Sequence, residues 1–199
     1  MGQKDTYDEA LIVEQLHHQE TVNAAFGKVI EHYSQPLYWQ IRRMVIDHDD
    51  ANDVLQNTFI KAWSNIGSFR GDAKFSTWLY KIAVNESITF INKKKVQNNI
   101  SLDDDSSFLT SNLEADRYFD GDEAQLKLQK AIATLPDKQR LVFNMRYYDE
   151  MKYEDMSEIL GTSVGALKAS YHHAVKKIES FDSLEFLIET SLGYLNIKG

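Results

Sequence analysis

Hydrophobic positions in the first ninety-five residues recur at helical spacing. Leu11, Ile12 and Leu16 start one face, and Val22, Phe26, Val29, Ile30 and Tyr33 continue one at steps of three and four. Pro36 lacks a backbone donor and crowds the preceding turn, so a break or kink is expected there, with Leu37 to Ile46 resuming as helix. Asp47 to Asp50 forms a polar turn whose acids suit the start of the next helix. Ala51, Val54, Leu55, Thr58, Ala62 and Ile66 then give a second apolar stripe. Gly67 to Asp72 is a loop with two glycines, and Lys74 or Phe75 opens a third helix that runs to about Lys95. From Val96 to Asp122 no apolar period persists. Helical periodicity returns over Ala124–Thr134, Asp137–Tyr147, Tyr153–Leu160 and Val164–Ser180, with a last amphipathic segment at Leu184–Leu195. The pattern predicts an all-α chain: a helical domain over 1–95, a linker over 96–122, a second helical domain over 123–180 and a tail over 181–199.

Composition narrows the function classes. The chain has two prolines and no cysteine, so disulfides, zinc–thiolate sites and thiol catalysis are excluded together. No run of about 18 apolar residues occurs, and the polar start (Gln3, Lys4, Asp5) argues against a secretory signal. A cytoplasmic location is expected. The net charge of −8 argues against indiscriminate coating of nucleic acid, but its distribution is uneven. Six basic residues (Arg70, Lys74, Lys81, Lys93, Lys94, Lys95) face only Asp72 and Glu86 between positions 70 and 95. Ser163 to Lys177 holds three lysines and no acid, whereas Asp103 to Glu123 holds eight acids against Arg117 alone. Like charges in such a block favour an extended, solvated linker.

Tyr153–Leu160, Gly161-Thr162-Ser163 and the helix from Val164 have the spacing of a helix-turn-helix. Gly161 can take the positive φ of a sharp turn, and Thr162 or Ser163 can cap the next helix. Val164, Leu167, Tyr171, Ala174 and Ile178 form the core stripe. The opposite side carries Gly165, Ala169, His172, His173 and Lys176, with Lys168 and Ser170 on its flanks. Small residues at the N-terminal end let a helix enter a major groove, where Lys and His can reach phosphates or base edges. A helical hairpin without a DNA role has the same spacing. Adjacent histidines point about 100° apart on a helix, and neither has a carboxylate at i+4, so His172 and His173 are a poor metal pair.

At these residues the chain resembles the extracytoplasmic-function branch of bacterial RNA polymerase sigma factors. LP-x-K-x-R-x-V-F, the S-V-G turn and A-L-K resemble that family's region four. DANDVLQNTFIKAW resembles its region-two helix, and FRGDAKFSTWLYKIAVN resembles the loop and helix that open promoter DNA. The resemblance implies that Asn52, Asp53, Gln56, Asn57, Phe59 and Trp63 grip the clamp of the polymerase large subunit, Phe59 being an exposed handle. It implies that Ser68, Phe69, Arg70, Asp72, Lys74, Trp78, Lys81 and Asn85 bind the −10 element, with core packing the alternative for Trp78. Ser163, Gly165, Ala166, Lys168, Ala169, His172, His173 and Lys176 would bind the −35 element. The implied partners are core polymerase at its clamp and flap, promoter DNA, and an anti-sigma factor as a further candidate, with no direct membrane contact. Where the family's recognition helix usually carries arginines, this one has Ser170, His173 and Val175. Weaker or differently specified −35 binding is expected, because arginine reads guanine and phosphate bidentately. The acidic linker, Asp103–Asp105 above all, would lie in a basic channel of the polymerase.

Two other readings compete. A polymerase-independent DNA-binding regulator would use the helix-turn-helix alone and leaves the first domain unexplained. A metal-assisted hydrolase would have to use Asp47-His48-Asp49-Asp50, but four consecutive ligand types in one turn cannot converge on one ion. No Walker-type loop, nucleophile elbow or HExxH appears. No catalytic residue, metal or cofactor is expected.

Overall fold

A computed structural model describes residues 7–97 and 123–181, and every regular element among them is helical. The expected linker (but for Val96 and Gln97) and almost all of the amphipathic tail therefore lie outside the described residues. Among the described residues the helices are α1 (Glu9–Leu16), α2 (Val22–Val45), α3 (His48–Asn65), α4 (Phe75–Gln97), α5 (Glu123–Ala133), α6 (Asp137–Tyr147), α7 (Tyr153–Leu160) and α8 (Val164–Glu179), with a 3-10 turn at Ile66–Ser68. They group into two compact units, one containing α1, α2, α3 from Asp49 and α4 through Lys94, the other α5 to α8.

In the first unit, Asp8 caps α1 by accepting from the backbone N–H groups of Ala10 and Leu11 at 3.0 and 3.2 Å. Tyr33 of α2 donates its hydroxyl to Glu9 at 2.7 Å and so pins α1. Burial pushes the Tyr33 hydroxyl well above its ordinary range, and the Glu9 carboxylate adds to that shift. Pro36 corrects the first expectation: α2 runs unbroken through it. The proline is exposed, while Tyr33, Leu37 and Ile41 are buried on the other side. One missing donor on a solvent-facing side costs less than the buried stripe supplies. Ile46, at φ 68, makes the turn into α3, whose first turn holds Asp49 and Asp50 at the positive end of the helix dipole. Ala51, Val54, Thr58 and Ala62 bury the predicted stripe of α3, and on α4 Phe75, Leu79 and Ala83 are buried. Ion pairs Lys61–Glu86 and Lys94–Asp50 join these two helices.

In the second unit, Ala131, Ile132, Leu135, Phe143, Ala174 and Ile178 form the core. Phe143 stacks on Tyr147 and Tyr171, with ring centres 5.1 and 5.7 Å apart. Burial pushes the Tyr171 hydroxyl up to about 12. Arg140, only 3% exposed, pairs with Asp137 at 2.5 Å and reaches the Ala133 carbonyl at 3.4 Å, closing the α5–α6 turn. The predicted boundaries of α6 and α7 agree with the structure to the residue, and those of α5 and α8 to within one.

Candidate nucleic-acid interface

The outer side of α3 presents Asn52, Asp53, Gln56 and Asn57 to solvent, opposite the buried stripe. Farther along, an open apolar groove of about 390 Å³ runs between α2 and α3, lined by Asn23, Phe26, Gly27, Ile30, Phe59, Ile60 and Trp63. Phe59 corrects a sequence expectation: it is 9% exposed and packs edge-on against Phe26 at 6.4 Å. It forms the groove's wall rather than an exposed handle. Trp63 meets Phe26 at 5.0 Å yet stays 40% exposed, and Ile60 is 55% exposed. Sequence reasoning missed Ile60 and the whole α2 side. The available signal was Ile60, an apolar residue off the Ala51/Val54/Thr58/Ala62 stripe and three residues before Trp63.

The loop between α3 and α4 is held from beneath. Phe69 is 6% exposed and packs on Phe75 and Trp78 at 5.4 and 5.2 Å, while those two rings lie 5.4 Å apart. Phe69 is thus an anchor, not the DNA-facing group that the resemblance implied. An aromatic inside a polar loop gains more by burial than by facing water. Around this anchor Ser68, Arg70, Asp72 and Lys74 are exposed, and Gly71 turns the loop at φ 77. Lys81 and Asn85 continue the exposed side one turn apart on α4, whereas Trp78 is half-buried. Lys94 is engaged by Asp50 and lies over the Phe90 ring at 5.8 Å.

In the second unit, Gly161 takes the left-handed conformation at φ 61 and ends α7 by donating to the Ser157 carbonyl at 2.9 Å. Ser163 then caps α8 by accepting from the Ala166 N–H at 3.3 Å. Leu167, Ala174 and Ile178 face the core, and Ser163, Gly165, Ala166, Lys168, Ala169, His172, His173 and Lys176 are all exposed. Val175 packs against the core and Ser170 is half-buried, so His173 alone of the three departing positions is fully exposed. Among the described residues no cluster of His, Cys, Asp or Glu is arranged to hold a metal.

Two family models match the chain: Sigma-70 region 2 over residues 29–96 and Sigma-70 region 4 over residues 125–178. The ECF RNA polymerase sigma factor SigW of Bacillus subtilis (strain 168) is 35% identical over 156 residues, covering 74% of this chain and 83% of that protein. The chain belongs to the extracytoplasmic-function sigma factors. The RNA polymerase sigma-H factor of Pseudomonas aeruginosa is 28% identical over 163 residues, covering 78% of this chain and 84% of that protein. Among solved structures, CnrH in complex with the cytosolic domain of CnrY superposes with a TM-score of 0.63 at 20% identity, over 86% of this chain and 95% of that one. The sigma factor RpoE in complex with the anti-sigma factor NepR from Bartonella quintana gives 0.60 at 20% identity, over 78% and 95%.

As a sigma factor the chain is a transcription initiation factor and not an enzyme. It serves RNA polymerase in promoter recognition, and the reading as a polymerase-independent regulator is not favoured. The loop lies within the region-2 segment and the capped helix-turn-helix within the region-4 segment, while the groove straddles the start of region 2, since Asn23, Phe26 and Gly27 precede residue 29. No described helix is long and apolar enough to cross a membrane.

Proposed function

We propose that the groove between α2 and α3 and the polar face of α3 dock on the clamp of the polymerase large subunit. The observation that carries this is the groove itself: Ile60 and Trp63 stay exposed beside an apolar slot on a helix whose core stripe is already satisfied. Exposed apolar patches rimmed by polar residues mark protein interfaces, and here Asn52, Asp53, Gln56 and Asn57 supply the polar rim. An anti-sigma factor is a further partner in this reading, because a protein that covered the same slot would block docking. The chain works in the cytoplasm, where the polymerase is.

The loop and α4 then serve the −10 element. Extracting a base from the stack costs a few kcal/mol, which a receiving loop (Ser68, Arg70, Asp72) and phosphate contacts from Lys74 and Lys81 offset, with Asn85 available to a base edge. The exposed face of α8 reads the −35 duplex.

Gly27 offers a direct test of the docking half. A Cβ at this position meets nothing within 4 Å, and Gly27 lines the groove, so Gly27→Trp places a large side chain at its wall. Co-elution with purified core polymerase is expected to weaken by about tenfold or more, the scale of an interface hot spot, while the thermal midpoint holds. Unchanged core binding by a folded Gly27→Trp protein would remove the groove from the interface.

A further inference from the structure

Tyr153, the first residue of α7, is half-buried, and two cations approach its ring. The Arg146 guanidinium carbon lies 5.3 Å from the ring centre and the Lys168 ammonium 5.6 Å from it. Both distances fall within the roughly 6 Å reach of a cation–π contact. The two cations differ in what else they do. Arg146 donates to the Met151 carbonyl at 3.2 Å, on the connection between α6 and α7, where Glu150 adopts φ 49 and the Met151 N–H donates to the Met145 carbonyl at 3.0 Å. Its charge is spent holding that connection, and the Tyr153 ring with it. Lys168 is exposed on α8, on the side that carries Gly165, Ala169 and His172.

We propose that Tyr153 is a positioning residue for DNA recognition: its ring face holds the Lys168 ammonium at a set place on the reading face of α8. The inference rests on the assignment of that face to the −35 duplex. A lysine on a helix otherwise spreads its charge over many rotamers, and ordering it on a phosphate or base costs conformational entropy. A ring beneath the stem removes part of that cost before DNA arrives, and the ammonium keeps its hydrogens for the ligand. This matters more here than on an arginine-rich helix, because Lys168 and Lys176 are the only lysines on the proposed reading face. Tyr153 itself does not read DNA in this scheme; it acts through Lys168.

The test uses the full chain with core polymerase on a promoter fragment selected by run-off transcription, its −35 segment intact or scrambled. Lys168→Ala is expected to lower affinity for the intact fragment by about tenfold and to reduce the salt dependence by about one counterion. Tyr153→Leu is expected to lose about fivefold, the upper end of an exposed cation–π contact, and Tyr153→Phe almost nothing. Adding Lys168→Ala to Tyr153→Leu is then expected to give no more loss than Lys168→Ala alone, with thermal midpoints recording that each variant folds. Additive losses from the two sites would overturn the positioning role, as would a loss in Tyr153→Phe equal to that in Tyr153→Leu, which would assign the effect to the hydroxyl. If Lys168→Ala changed nothing on either fragment, the assignment of Lys168 to the −35 face would fall, and the inference with it.

Discussion

The two surfaces assigned to DNA are built in opposite ways. In region 2 the reacting surface is a loop, and three interlocked aromatics (Phe69, Phe75, Trp78) hold it from below while polar and basic groups stand clear. In region 4 the surface is a regular helix held by a stacked layer of Phe143, Tyr147 and Tyr171, and its outward residues are small, or histidine and lysine without arginine. Opening DNA requires a surface that can receive an irregular strand yet stay in place, so the loop needs an anchor of its own. Reading a duplex requires shape first, which a capped helix already has. Arginine is absent from the described reading face of α8, whereas Arg70 and two lysines surround the loop, so more of the affinity should reside in region 2.

This contrast can be broken most sharply at Phe69. Phe69→Ala is expected to cost about 3 kcal/mol of local stability, at the low end for a buried phenylalanine. Faster hydrogen exchange across residues 66–79 should accompany loss of permanganate-detected promoter opening, while −35 recognition is retained. Lost opening with unchanged exchange would instead make Phe69 a DNA contact. A second comparison pits two positions on α8 against each other. Val175→Arg places a charge against the core and is expected to destabilise by about 2 kcal/mol, read as a lower thermal midpoint. His173→Arg, fully exposed, should leave the midpoint alone and tighten binding to the −35 duplex by about 1 kcal/mol or less. Lys81→Ala is expected to weaken binding to a −10 single strand by roughly 1 kcal/mol and to flatten its salt dependence by about one counterion, without altering stability.

What was legible in the sequence depended on how local the determining physics is. The helix-turn-helix was readable because Gly161 and Ser163 act on neighbours within three residues: one ends a helix, the other starts the next. Pro36 misled because its cost is local while the opposing burial of Tyr33, Leu37 and Ile41 against other helices is not. Phe59 and Phe69 were misplaced for the same reason. Each sits beside polar residues in sequence, but its partners lie thirty-three residues earlier at Phe26 and six and nine residues later at Phe75 and Trp78. The groove was invisible because half of it comes from a helix that the motif does not include. The polar and basic residues that the resemblance named on α3, the loop, α4 and α8 are exposed, because each lies off a buried stripe or in a loop.

The central claim is that this chain directs RNA polymerase to promoters through both regions together. Run-off transcription with the purified protein and bacterial core polymerase on a promoter library tests it directly. Transcripts with defined start sites that appear only when both components are present, and that fall with Gly27→Trp and, to a smaller degree, with scrambled −35 segments, are the predicted result. A library bound equally well without core polymerase, or no transcript above core alone, would contradict it.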